Sequence, residues 1–207
     1  MTSKTTRKNE IIAAARVVFN KYGYKKTTMV DIAKEVDLNQ ATLYHYFENK
    51  EEIFIEKILA DHAEFRSKRL KFILDEPTIE RKIMSFFGHK LDFFYGNRIY
   101  EQIAELNKNK ITKKHRKMLE NLSKQEKIFI KSLLEKAIQN DEISTDINTT
   151  QLTKLVFRIF QGLRVENQFN YFITKQEPRT DLLMKEMEQT IHYLFKNLKK
   201  TKGEIKK

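Results

Sequence analysis

Five glycines and two prolines in 207 residues leave this chain few places to break a helix or turn a hairpin. Between them, apolar residues recur at steps of three and four, the helical period. Val, Ile and Thr nowhere alternate with polar residues as a half-buried strand requires. The pattern predicts an all-α chain. The length fits a small module joined to a larger domain. No internal repeat or long linker interrupts it before a basic tail, "KNLKKTKGEIKK".

The first helix is expected over about residues 5–22, with Ile11, Ile12, Ala15, Val18 and Phe19 on its inner face and Gly23 as its stop. In "TTMVDIAKEV", Thr28 is placed to cap a second helix, with Asp31 three positions on completing a capping box. Ile32, Ala33 and Val36 form its inner face. A tight turn, "VDLNQ", puts Asp37 where left-handed backbone is needed, and Asp tolerates that better than most residues. Asn39 then caps a third helix. Leu43 and Phe47 face inward, while Gln40, Ala41, Tyr44 and His45 lie on the opposite arc. Asn49 caps a fourth helix with Glu52 at the box position.

Helix, short turn, and a second helix with polar residues at its start is a helix-turn-helix, whose second helix enters the major groove of double-stranded DNA. Gln suits a bidentate pair with adenine, and a small apolar side chain suits a thymine methyl. Tyr and Lys hold phosphates and set the register. The stretch "IIAAARVVFNKYGYKKTTMVDIAKEVDLNQATLYHYFENKEEIF" resembles the N-terminal domain of the tetracycline-repressor (TetR) family, densely over about residues 8–60. Beyond it the chain matches that family only in length and helical layout. Asp37 departs from the glycine common there.

That resemblance implies a homodimeric transcriptional regulator, usually a repressor. Each subunit reads half of a near-palindromic operator, and a small molecule in the C-terminal domain moves the fourth helix and releases the DNA. It implies a three-helix DNA-binding domain at residues 1–50, a larger helical ligand-binding and dimerisation domain at 51–200, and the tail at 201–207. Thr28, Asn39, Gln40, Ala41, Thr42, Tyr44, His45, Tyr46 and Lys50 are the candidate DNA contacts. Tyr46 is balanced between phosphate contact and boundary packing. His45 fits a phosphate or water partner better than a base, and Lys50 fits a backbone clamp. Lys25 and Lys26 read as a solvated face.

Further helices are expected near 50–74, 77–96, 98–107, 115–140, 148–172 and 179–198, with Pro77 and Pro178 each opening one. The aromatics crowding the middle suggest core, and with it an apolar cavity for a small hydrophobic effector. Its candidate lining is Phe86, His89, Phe93, Tyr95, Phe129, Phe157, Phe160 and Gln161, with His89 or Tyr95 giving an orienting hydrogen bond. Stripes on the last two helices read as core or, by the resemblance, as a four-helix dimer interface. The candidates are Leu155, Ile159, Gly162, Leu183, Met187, Ile191 and Leu194. Gly162 in mid-helix is unfavourable unless two helices approach closely there.

The net charge of +12 invites a polyanion, although 30 lysines against 10 arginines also fit an AT-rich coding bias. "LNKNKITKKHRK", residues 106–117, holds six Lys/Arg and no acid, and is a candidate for extra phosphate attraction or simply a solvated loop. No cysteine is present, so no disulfide or thiolate metal site is expected. No glycine-rich phosphate loop or zinc-spaced histidine pair argues for an enzyme, and no cofactor is expected. A DNA-coating protein is the other alternative, against which stands the reading helix. No signal peptide or apolar span of membrane length is evident, so the chain reads as cytoplasmic.

Overall fold

The computed structural model describes residues 3–96, 106, 112–174 and 179–198. The described residues form eight helices and no strand: α1 (Ser3–Lys26), α2 (Met29–Glu35), α3 (Gln40–Tyr44), α4 (Lys50–Asp75), α5 (Ile79–Gly96), α6 (Lys113–Gln139), α7 (Thr149–Thr174) and α8 (Thr180–Lys196). The helix expected at 98–107 and the basic tail at 201–207 lie outside the described residues. The chain forms two compact units. One comprises Met1–Lys68 with Asp92–Asn121, the other Arg69–Leu91 with Leu122–Lys207.

Local sequence signals set the first unit. Gly23 sits at φ 76°, ψ 163°, breaking the helical path of α1 where a side chain would be strained. Thr28 caps α2: its hydroxyl accepts from Asp31 N–H at 3.2 Å, and the Asp31 carboxylate accepts from Thr28 N–H at 2.8 Å. At the far end Asp37 takes φ 52°. There Leu38 N–H bonds to Ala33 C=O at 2.9 Å, and Asp37 N–H to Lys34 C=O at 3.2 Å. That is a Schellman closure with aspartate in the glycine position. α6 ends the same way, with Asp141 at φ 57° and Glu142 N–H on Ala137 C=O at 2.9 Å.

The core of this unit joins Ile11, Ala15, Val18 and Phe19 of α1, Ile32 and Ala33 of α2, Leu43, Phe47, and Ile53, Phe54 and Ile58 of α4. Phe19 meets Phe54 edge to face at 5.1 Å between ring centroids, and Tyr24 lies 4.8 Å from Phe54. Phe93 and Leu106 close the cluster from later in the chain. Arg16 of α1 pairs with Asp61 of α4, whose other oxygen takes the buried Lys57 at 3.0 Å.

In the second unit α7 and α8 pack together. Leu183, Met187, Ile191 and Phe195 of α8 are buried, as are Leu152, Val156, Phe157 and Phe160 of α7. Phe87 of α5 stacks on Phe160 at 4.4 Å. Pro77 does not open α5. Thr78 is the cap, its hydroxyl accepting from Arg81 N–H at 3.3 Å, and Pro77 stands just outside, where its ring holds the approach. Pro178 lies outside the described residues.

Candidate nucleic-acid interface

α3 is only five residues long, and its placement depends on what brackets it. Asn39 Oδ1 accepts from Thr42 N–H at 2.7 Å at the front. Leu43 and Phe47 bury themselves behind. Lys8 of α1 lies over the Phe47 ring at 4.7 Å, on the helix's inner side. The period of the helix then leaves Gln40, Ala41, Tyr44 and His45 exposed on one arc. Tyr44 is 48 % exposed, high for a ring beside a packed core. Thr42 is half-buried, and Tyr46 is half-buried and packs against the core cluster. Thr28 is exposed at the start of α2. The cap at Asn39 uses its carbonyl oxygen, which leaves the amide NH2 as the group that can donate outward.

Lys50 has another place than the phosphate clamp expected of it. Its ammonium donates to Tyr24 C=O and to Thr27 C=O, both at 2.8 Å, and lies 4.4 Å above the Tyr24 ring. Tyr24 lies in the last turn of α1 and Thr27 just beyond it, where a helix end leaves backbone carbonyls without helical partners. A half-buried cation there joins the end of α1 to the start of α4. Nothing in the local sequence signals that role, because the partners are backbone atoms.

The basic stretch before α6 also changes on folding. Lys110 lies outside the described residues. Lys113, Arg116 and Lys117 are exposed. Lys114 bonds to Glu56 at 3.0 Å and lies 3.9 Å from Glu52, which raises its pKa. Its acids come from α4, far away in sequence.

Among the described residues, several rings of the expected effector lining pack on one another. Phe86 and Phe157 are buried in a ring cluster with Phe87 and Phe160, and Phe129 lies 5.9 Å from Phe86. Edge-to-face and stacked pairs hold these rings against one another. Phe93 packs in the first unit, 5.1 Å from His62 and 5.3 Å from Phe65. His89 and Tyr95 are half-buried on α5. Gln161 is exposed and points away from the cluster.

Two apolar stripes run along α7 and α8, and only one is inside. Leu183, Met187 and Ile191, expected at a dimer contact, are 2 %, 0 % and 1 % exposed and belong to the chain's own core. Leu155, Gly162, Val165, Phe169 and Ile173 share the opposite, exposed face of α7, and Leu182 and Tyr193 are exposed on α8. Ile159 and Leu194 sit at the boundary. A Cβ placed on Gly162 meets nothing within 4 Å. The outer stripe is legible in hindsight as the second phase of the same helical repeat.

Residues 11–56 match the model described as "Bacterial regulatory proteins, tetR family". The chain is 22 % identical over 157 residues to the fatty acid metabolism regulator protein of Bacillus subtilis, covering 76 % of this chain and 81 % of that one. It superimposes on a transcriptional regulator from Cytophaga hutchinsonii with a TM-score of 0.74 at 23 % identity, over 92 % of this chain and 97 % of that one. It also superimposes on FadR from Bacillus subtilis in complex with stearoyl-CoA, with a TM-score of 0.64 at 20 % identity, over 88 % and 96 % of the two chains. At these identities the structures establish a shared fold. The matched helix-turn-helix and the exposed arc of α3 lead to one assignment: a DNA-binding transcriptional regulator whose N-terminal domain is of the tetR family.

Proposed function

We propose that the chain acts as a homodimeric repressor, with α3 of each subunit reading one half of a near-palindromic operator. The observation that carries this is the division of α3. Leu43 is fully buried, while Gln40, Ala41, Tyr44 and His45 stand together in solvent. Gln40 lies at the helix start, from which side chains reach base edges. Tyr44 and Thr28 are suited to phosphates beside it. The outer face of α7 and α8 supports a twofold contact. It places Leu155, Phe169 and Tyr193 in water, with Gly162 allowing close approach.

The effector we assign is a long acyl chain carried on an anionic head, such as an acyl-coenzyme A. Support comes from the likeness to the Bacillus subtilis regulators and from the apolar ring cluster of α5, α6 and α7. Because those rings pack on one another, entry of an acyl chain requires them to part, and the bound conformation is a second state of this domain.

Selection of bound sequences from random DNA, followed by nuclease footprinting, tests the reading function. One short protected palindrome is the expected result. Uniform protection along any DNA overturns sequence-specific repression in favour of coating.

A further inference from the structure

We propose that Glu52, Glu56 and His115 form a binding site for a divalent first-row transition-metal ion, bridging α4 and α6. Glu52 and Glu56 are one turn apart on α4, on the same face. His115 lies in the first turn of α6. One oxygen of each carboxylate and a ring nitrogen all lie within 4.8 Å of one another. Metal bonds of about 2.0–2.2 Å bring donors to roughly 3 Å apart, so these donors need to draw together by less than about 2 Å to share an ion.

The histidine points to a cation rather than to a simple acidic patch. It is fully buried, its Nδ1 lies 2.8 Å from Thr112 Oγ1, and its Nε2 has no hydrogen-bond partner among the described residues. Glu52 Oε1 is 3.8 Å from it, beyond hydrogen-bond reach. If Nδ1–H donates to Thr112, the Nε2 lone pair faces a carboxylate. If the Thr112 hydroxyl donates to Nδ1, the Nε2–H is stranded short of its acceptor. Either arrangement leaves a buried polar atom unmet.

A metal ion resolves the first arrangement, accepting the Nε2 lone pair while two carboxylates neutralise it. A ligating histidine commonly donates its other N–H to an outer acceptor, the role Thr112 fills here. Glu48 N–H holds Glu52 Oε2 at 2.8 Å, which keeps Oε1 turned towards the histidine. One imidazole and two carboxylates suit zinc, manganese or ferrous iron. Lys114, on Glu56 at 3.0 Å and 58 % exposed, is the resident counter-ion and can leave on its flexible stem.

The test uses the full chain, stripped with chelator, without DNA, so its outcome is separate from that of operator reading. Calorimetric titration with Mn2+ and Zn2+ is expected to show one saturable site per chain. Glu56→Gln should weaken it at least tenfold. Lys114→Gln, which removes the competitor, should tighten it. Mn2+ should selectively broaden the His115 ring signals in a nitrogen-correlated spectrum. No saturable binding, equal affinity in the wild type and Glu56→Gln, or unbroadened His115 signals overturns the site.

Discussion

Gln40 stands in solvent one residue beyond the Asn39 cap, and its amide carries both a donor and an acceptor for an adenine edge. Gln40→Ala is expected to weaken operator binding by about 1–3 kcal/mol and to leave non-specific binding nearly unchanged, since charge attraction supplies the latter. Competition titrations against operator and random duplexes read the two separately. Lys50 has the opposite balance. Its ammonium answers two carbonyls and faces a ring. Lys50→Met keeps the stem but strands those acceptors, and should lower folding stability by about 2 kcal/mol in urea unfolding, since hydrogen bonds to charged groups contribute about 1.5–3 kcal/mol each. If stability holds while the slope of log affinity against log salt falls by about one, Lys50 is a phosphate clamp after all.

At the scale of elements, α2 owes its start to the Thr28–Asp31 box. The Thr28 hydroxyl and backbone N–H donate to the Asp31 carboxylate and hold its pKa below the ordinary value. A folded pKa below the unfolded one means the box stabilises above about pH 4 and is lost as pH falls through the folded value. The melting difference between wild type and Asp31→Asn should therefore be full at neutral pH and close in acid. Such boundaries were legible because caps, Gly23 and the aspartate closure at Asp37 act through neighbours in sequence. The burial of Leu43 and Phe47 was legible for the same reason, from a spacing of four. What escaped depends on distant partners: the carbonyls that hold Lys50, the α4 acids on Lys114, and the choice between two stripes on α7 and α8. That choice gives a paired test. Leu183→Ala should lower folding stability by about 2–5 kcal/mol, as for a buried leucine. Leu155→Glu, at an exposed position, should leave the fold intact and turn dimer into monomer by sedimentation. Dimers that survive Leu155→Glu place the contact elsewhere.

For the whole molecule, the proposed switch rests on linkage between an acyl ligand and DNA. A ligand that binds only the folded chain stabilises it by about 2.7 kcal/mol at a hundred times its dissociation constant. If it favours a conformation that fits the operator poorly, it weakens DNA binding by a factor that DNA must return on the ligand. The packed rings of Phe86, Phe87, Phe157 and Phe160 sharpen the expectation. Parting them opposes binding, so a truncated ring should favour the ligand-bound state. Phe86→Ala removes one side of the cluster and should destabilise the free protein by about 3–5 kcal/mol while raising its affinity for the acyl chain. Calorimetry with acyl-coenzyme A chains of increasing length, paired with operator titrations at each ligand concentration, checks both halves. Affinity should rise with chain length, and operator release should track occupancy. A ligand that raises the melting temperature without shifting operator affinity separates the ring cluster from the switch. Affinity that falls in Phe86→Ala shows that the ring contacts the ligand instead of barring its way.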